Sequence, residues 1–70
     1  MSKKKAYTLV GVDGNAFAIM GFTADVMEKE GFPEKDIDKM YEDAQSGNYY
    51  HLVRVCNSWI AKVNQKVGAQ

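Results

Sequence analysis

The segment Val12-Asp13-Gly14-Asn15-Ala16 marks a change of backbone period, and that change limits the possible folds more than any other feature of the chain. Before it, Tyr7-Thr8-Leu9-Val10-Gly11-Val12 is rich in β-branched and aromatic residues, the composition of a strand. After it, apolar residues recur at helical spacing from Phe17 to Met27. Asp13-Gly14 is turn chemistry and Asn15 is a good N-cap. A single strand has no sheet of its own, so the reading requires a β partner inside or outside the chain.

Length narrows the choice further. Seventy residues make one domain, 1–70, with 1–5 and 67–70 expected to be disordered. A chain this short buries only about 60% of its unfolded surface, which leaves a thin stability margin. Hydrophobic residues are 46% and charged residues 26% of the chain, a globular rather than a disordered composition. Cys56 stands alone, so no disulfide staple is available, and a reducing cytoplasm is the expected location. Thr8, Gly11 and Asp13 interrupt any signal-peptide apolar run after Lys3-Lys4-Lys5, and no stretch approaches the roughly 20 apolar residues of a membrane span.

Periodicity predicts three helices. The first runs from Ala16 to about Glu30, with Phe17, Met20, Gly21, Ala24 and Met27 on one stripe and Ile19, Phe22 and Val26 on another. Gly21 inside it costs about 1 kcal/mol relative to alanine, an expense that close approach of another backbone or ring would offset. Gly31 ends that helix. Phe32-Pro33 opens the second, with Glu34 and Asp36 in its first turn and Ile37, Met40, Tyr41 and Ala44 on its apolar stripe. Ser46-Gly47-Asn48 closes it and caps a third helix over about Tyr49 to Lys66, striped by Tyr49, Leu52, Cys56, Trp59, Ile60 and Val63. The expected fold is α+β: one N-terminal β-strand and three α-helices packed as a small bundle around Phe17, Met20, Tyr41, Leu52, Cys56 and Trp59. The strand places either Tyr7, Leu9 and Gly11 or Thr8, Val10 and Val12 inward.

No catalytic or metal-binding pattern emerges. His51 and Cys56, five apart on a helix, would point about 140° apart, which is poor geometry for a nucleophile and its base. The alternative ionisable pair is Asp13 with His51. HxxxH, CxxC and HExxH spacings are absent. Asp36, Asp38, Glu42 and Asp43 lack the glycine of a calcium loop and read as a solvated helix face. Gly11-Val12-Asp13-Gly14 lacks the rest of a nucleotide fingerprint. Free amides at Asn15, Ala16 and Phe17 could hold an anion, but capping by Asn15 satisfies them more simply. No catalytic, cofactor-binding or metal-ligating residue is therefore expected, and no cofactor.

Charge is uneven though the net charge is zero. Residues 24–48 hold eight carboxylates against Lys29, Lys35 and Lys39, while Lys3, Lys4 and Lys5 lie at one end and Arg54, Lys62 and Lys66 at the other. A nucleic-acid binder normally shows a clear basic excess.

Three resemblances bear on function. Met20-Gly21-Phe22 is similar to the Met-Gly-Phe of ubiquitin-associated domains, where it lies in a loop between the first two helices, whereas here it falls mid-helix. A lone strand before helices resembles the ribbon-helix-helix repressors, whose strand pairs with its twin across a dimer two-fold and enters the major groove. That likeness implies a homodimeric DNA-binding regulator with Lys3, Lys4 and Lys5 as phosphate contacts. Leu9, Val10, Gly11 and Val12 offer no base-reading donors, however, and a third helix is extra. The run Tyr-Thr-Leu-Val-Gly-Val-Asp-Gly-Asn-Ala-Phe at 7–17, with Met-Gly-Phe at 20–22, Glu-Gly-Phe at 30–32 and Ser-Gly-Asn-Tyr at 46–49, resembles a set of short uncharacterised bacterial proteins associated with mobile elements. This implies a bacterial cytoplasmic origin and no site residues.

The favoured expectation is a non-enzymatic protein–protein interaction module. Its contacts would lie at the strand and a nearby aromatic groove, with Tyr7, Leu9, Tyr49 and Tyr50 as candidates. Its partner is another protein or, through the strand, a second copy of the chain; nucleic acid and membrane are not expected partners.

Overall fold

The computed structural model describes residues 6–68. They form three helices, α1 (Ala16–Lys29), α2 (Glu34–Ala44) and α3 (Tyr49–Val67), and no β-strand among the described residues. The architecture is a three-helix bundle, and the expected α+β class is wrong. The helices themselves lie where the periodicity placed them, and α1 and α3 each end within one residue of the expected positions.

The missing strand has a physical reason. A ladder needs a second extended backbone, and every other apolar run in this chain is helical. Tyr7 instead finds a side chain that imitates a peptide group. Its N–H donates to Asn64 Oδ1 at 2.8 Å, and Asn64 Nδ2 donates back to its carbonyl at 3.0 Å. Farther on, the segment folds into a tight turn. Val12 N–H donates to Leu9 C=O at 3.0 Å, and Gly11 occupies the left-handed region at φ 88°, where a side chain is strained. Val10 N–H is taken by Thr8 Oγ1. Tyr7, Leu9 and Val12 all pack against the core, because the turn breaks the alternation that would have sent Val12 outward.

Residues 6–15 thus form a strap rather than a sheet edge. Tyr7 is fixed beside Asn64 near the end of α3, while the Tyr49 hydroxyl at its start donates to Gly14 C=O. The strap runs antiparallel to α3. About 22 Å of helix separates those two anchors.

Helix ends follow capping chemistry. Asn15 Oδ1 accepts from Phe17 N–H and Asn48 Oδ1 from His51 N–H. At the end of α1, Gly31 at φ 86° lets Phe32 N–H reach Met27 C=O and its own N–H reach Glu28 C=O, a Schellman closure. Pro33 caps α2 through its carbonyl, and Glu34 and Asp36 lie in that helix's first turn. Val67, expected in a disordered tail, is the last residue of α3, and Gly68 ends that helix at φ 70°. Residues 1–5 and 69–70 lie outside the described residues.

The helices run up, down and up. Ala16, Phe17 and Met20 share a groove with Tyr49 and Leu52, and Lys66 Nζ donates to Glu30 C=O at 2.6 Å, so α1 and α3 run in the same direction. α2 returns between them. The core is Ile19, Met20, Val26, Met27, Met40, Ala44, Leu52, Val55, Cys56, Trp59 and Val63. Phe32 lies edge-on to Trp59, with ring centroids 6.3 Å apart.

Two expectations about α1 fail. Its buried seam, Ile19, Met20, Thr23, Val26 and Met27, runs between the two predicted stripes, and Phe17 is 80% exposed. Nothing lies within 4 Å of where a Cβ on Gly21 would stand, so no close neighbour compensates that glycine.

Candidate functional site

Two surface hollows carry distinctive chemistry. The first lies at the end of the bundle where α1 and α3 begin and α2 ends. It is a groove of about 360 Å³ whose walls include Phe17, Met20, Ala44, Tyr49 and Leu52. The walls are apolar because helix starts present first-turn side chains that no later turn overlies. Tyr49 is held by its bond to Gly14 C=O, and Tyr50 lies edge-on to it with centroids 6.5 Å apart. Tyr50 is 78% exposed. Phe17, Tyr49 and Tyr50 therefore place three aromatic rings around one end of the molecule.

The second hollow, about 470 Å³, is the cleft between α2 and α3. Lys39 and Asp43 enter it from α2, one helical turn apart. His51, Arg54, Ser58, Trp59 and Lys62 enter from α3 at spacings that keep them on one face. His51 closes one end. Its Nε2 lies 2.8 Å from Asp43 C=O, 3.1 Å from Ser46 Oγ and 3.5 Å from Asp43 Oδ1. A carbonyl can only accept, so that nitrogen carries the proton. Gly47 makes room for the ring, since a Cβ there would stand 2.8 Å from His51 Cγ. Lys62 Nζ sits 4.2 Å from the centre of the Trp59 ring.

The sequence candidates divide between these places and the strap. Tyr49 and Tyr50 come together at the aromatic end. Tyr7 lies at the far end of α3, its hydroxyl donating to Glu30 Oε2 at 2.5 Å and its backbone held by Asn64. Leu9 packs partly buried on the core. Lys3, Lys4 and Lys5 lie outside the described residues. The strand that would pair with a twin, in a dimer or a DNA-reading ribbon, is not formed.

Chemistry at Asp13, His51 and Cys56 is committed elsewhere. Asp13 Oδ1 accepts from Asn15 N–H. Cys56 is fully buried, and burial pushes its thiol pKa up, while a hydrogen bond with the Thr23 side chain opposes that shift. Thr23, also fully buried, donates its hydroxyl to Ile19 C=O at 2.8 Å. Among the described residues no three histidine, cysteine or acidic side chains gather as a metal site, and no helix is long and apolar enough to cross a membrane. The chain matches no protein-family model, no curated protein and no solved structure.

Sequence reading missed Phe17 as a surface residue and the cationic cleft altogether. A first-turn position next to the cap was the available signal for Phe17. For the cleft it was Arg54, Ser58 and Lys62 at successive intervals of four, which puts two cations and a hydroxyl on one face of α3.

Proposed function

We propose that this chain is a non-enzymatic protein–protein interaction module whose contact surface is the aromatic end, Phe17, Tyr49 and Tyr50. The carrying observation is the exposure of Phe17, 80%, on a largely apolar groove and of Tyr50, 78%, against Tyr49, which lines the same groove. Scattered exposed apolar residues are ordinary, but aromatic rings clustered on a hollow mark interaction sites. Rings also suit this role because they bring large contact area with few rotatable bonds. The committed states of Cys56 and His51 support the non-enzymatic part of the reading.

The test is a Phe17→Ser/Tyr50→Ser double variant with its helix content verified by circular dichroism. If the rings join two copies, the parent's mass by light scattering doubles with concentration and the variant stays monomeric. If they receive another protein, the parent retains that protein from its source cell and the variant does not. A folded variant that matches the parent in both measurements defeats the proposal.

A further inference from the structure

The cleft between α2 and α3 gathers positive charge that is left without an ion pair among the described residues. Lys39, Arg54 and Lys62 line it, and Asp43 is the one carboxylate among the residues that do. That carboxylate sits 3.5 Å from His51 Nε2. Among the described residues no carboxylate comes within 4.0 Å of Lys39, Arg54 or Lys62. Lys39, Arg54 and Lys62 are exposed side chains, so water screens much of their mutual repulsion, but like charges around one concavity still favour an anion there. Counter-charges were available, since α2 carries Glu34, Asp38 and Glu42, yet these lie outside the cleft lining.

The donors also have a shape. Arg54, Ser58 and Lys62 lie on successive turns of α3, and Lys39 lines the same hollow from α2. A guanidinium offers two parallel N–H donors, a serine hydroxyl a third, and the ammonium groups add charge. Trp59, with Lys62 Nζ over its ring, restrains one of those ammonium groups at the wall. We propose that this cleft binds a phosphoryl group, carried by a small molecule or by a phosphorylated side chain, with Arg54, Ser58, Lys62 and Lys39 as its ligands. A compact dianion fits better than a polyanion. A nucleic acid laid across the cleft would meet the exposed carboxylates of α2, and the chain has no net charge to attract it.

Amide chemical shifts of the full chain test this, titrated with inorganic phosphate, with a phosphoserine peptide and with its unphosphorylated twin, each against chloride at matched ionic strength. Saturable shifts at Arg54, Ser58 and Lys62 are expected with both phosphoryl probes and not with the twin. Arg54→Gln should weaken them at least about tenfold, and Lys35→Gln, outside the cleft, should not. Tighter binding of the phosphopeptide than of phosphate assigns the group to a protein segment, and equal binding assigns it to a small molecule. Three results overturn the proposal: shifts that follow chloride without saturating, binding indifferent to Arg54→Gln, or duplex DNA bound more tightly than either phosphoryl probe. None of these depends on Phe17 or Tyr50, so this result and that of the aromatic end stand apart.

Discussion

Gly21 carries the largest removable cost in α1. A mid-helix glycine loses more backbone freedom on folding than alanine, and here no neighbour would meet the added methyl. Gly21→Ala should therefore raise stability by about 1 kcal/mol, visible as a higher thermal midpoint. An unchanged or lower midpoint would mean that the site is closed after all. Cys56 makes the opposite kind of statement. Its thiol pKa is raised from the usual 9.0, first by burial. As pH rises past that value the unfolded thiol ionises first, so the unfolded state binds fewer protons and gains ground. The thiol's contribution is complete below 9.0 and disappears as pH climbs through the raised native value. Urea unfolding above and below 9.0 should show parent stability falling more steeply than that of Cys56→Ala; parallel decline in the two chains would count against a perturbed thiol.

At the scale of elements, the strap is the part that depends most on one side chain. Asn64 supplies both an acceptor and a donor to Tyr7. Asn64→Ala should cost about 1–2 kcal/mol and open the Tyr7 amide to fast hydrogen exchange. A Tyr7 amide that stays protected would show that packing alone holds the strap. Helix positions were legible in the sequence because caps and breakers are local: Asn15, Gly31, Pro33 and Asn48 each act on backbone within a few residues. The strap was not legible for the converse reason. Whether Tyr7-Thr8-Leu9-Val10 becomes a strand depends on what lies beside it, and that neighbour is Asn64, 57 residues away. Composition recorded a preference for extended backbone but could not supply a ladder. Tyr49 and Tyr50 lie edge-on to one another at the start of α3, whereas Tyr7, expected near them, lies at its other end. Phe17 was misplaced because a stripe is a direction around a helix, and at a helix start there is no facing element to bury it.

For the whole molecule, a three-helix bundle this small leaves little surplus stability. The strap adds partly buried Tyr7, Leu9 and Val12 to a core otherwise made by the helices. A chain beginning at Gly14 should stay helical but lose on the order of 3 kcal/mol, measured by urea unfolding. Full retention of stability would reduce the strap to decoration. The clamp between Tyr7 and Asn64 also imposes an order of events. Synthesis runs from the amino to the carboxyl end, so Tyr7 and Leu9 emerge before their seat beside α3 exists. Until α3 has been translated as far as its asparagine, Tyr7 and Leu9 must wait in the open, where chaperones or a premature partner can reach them.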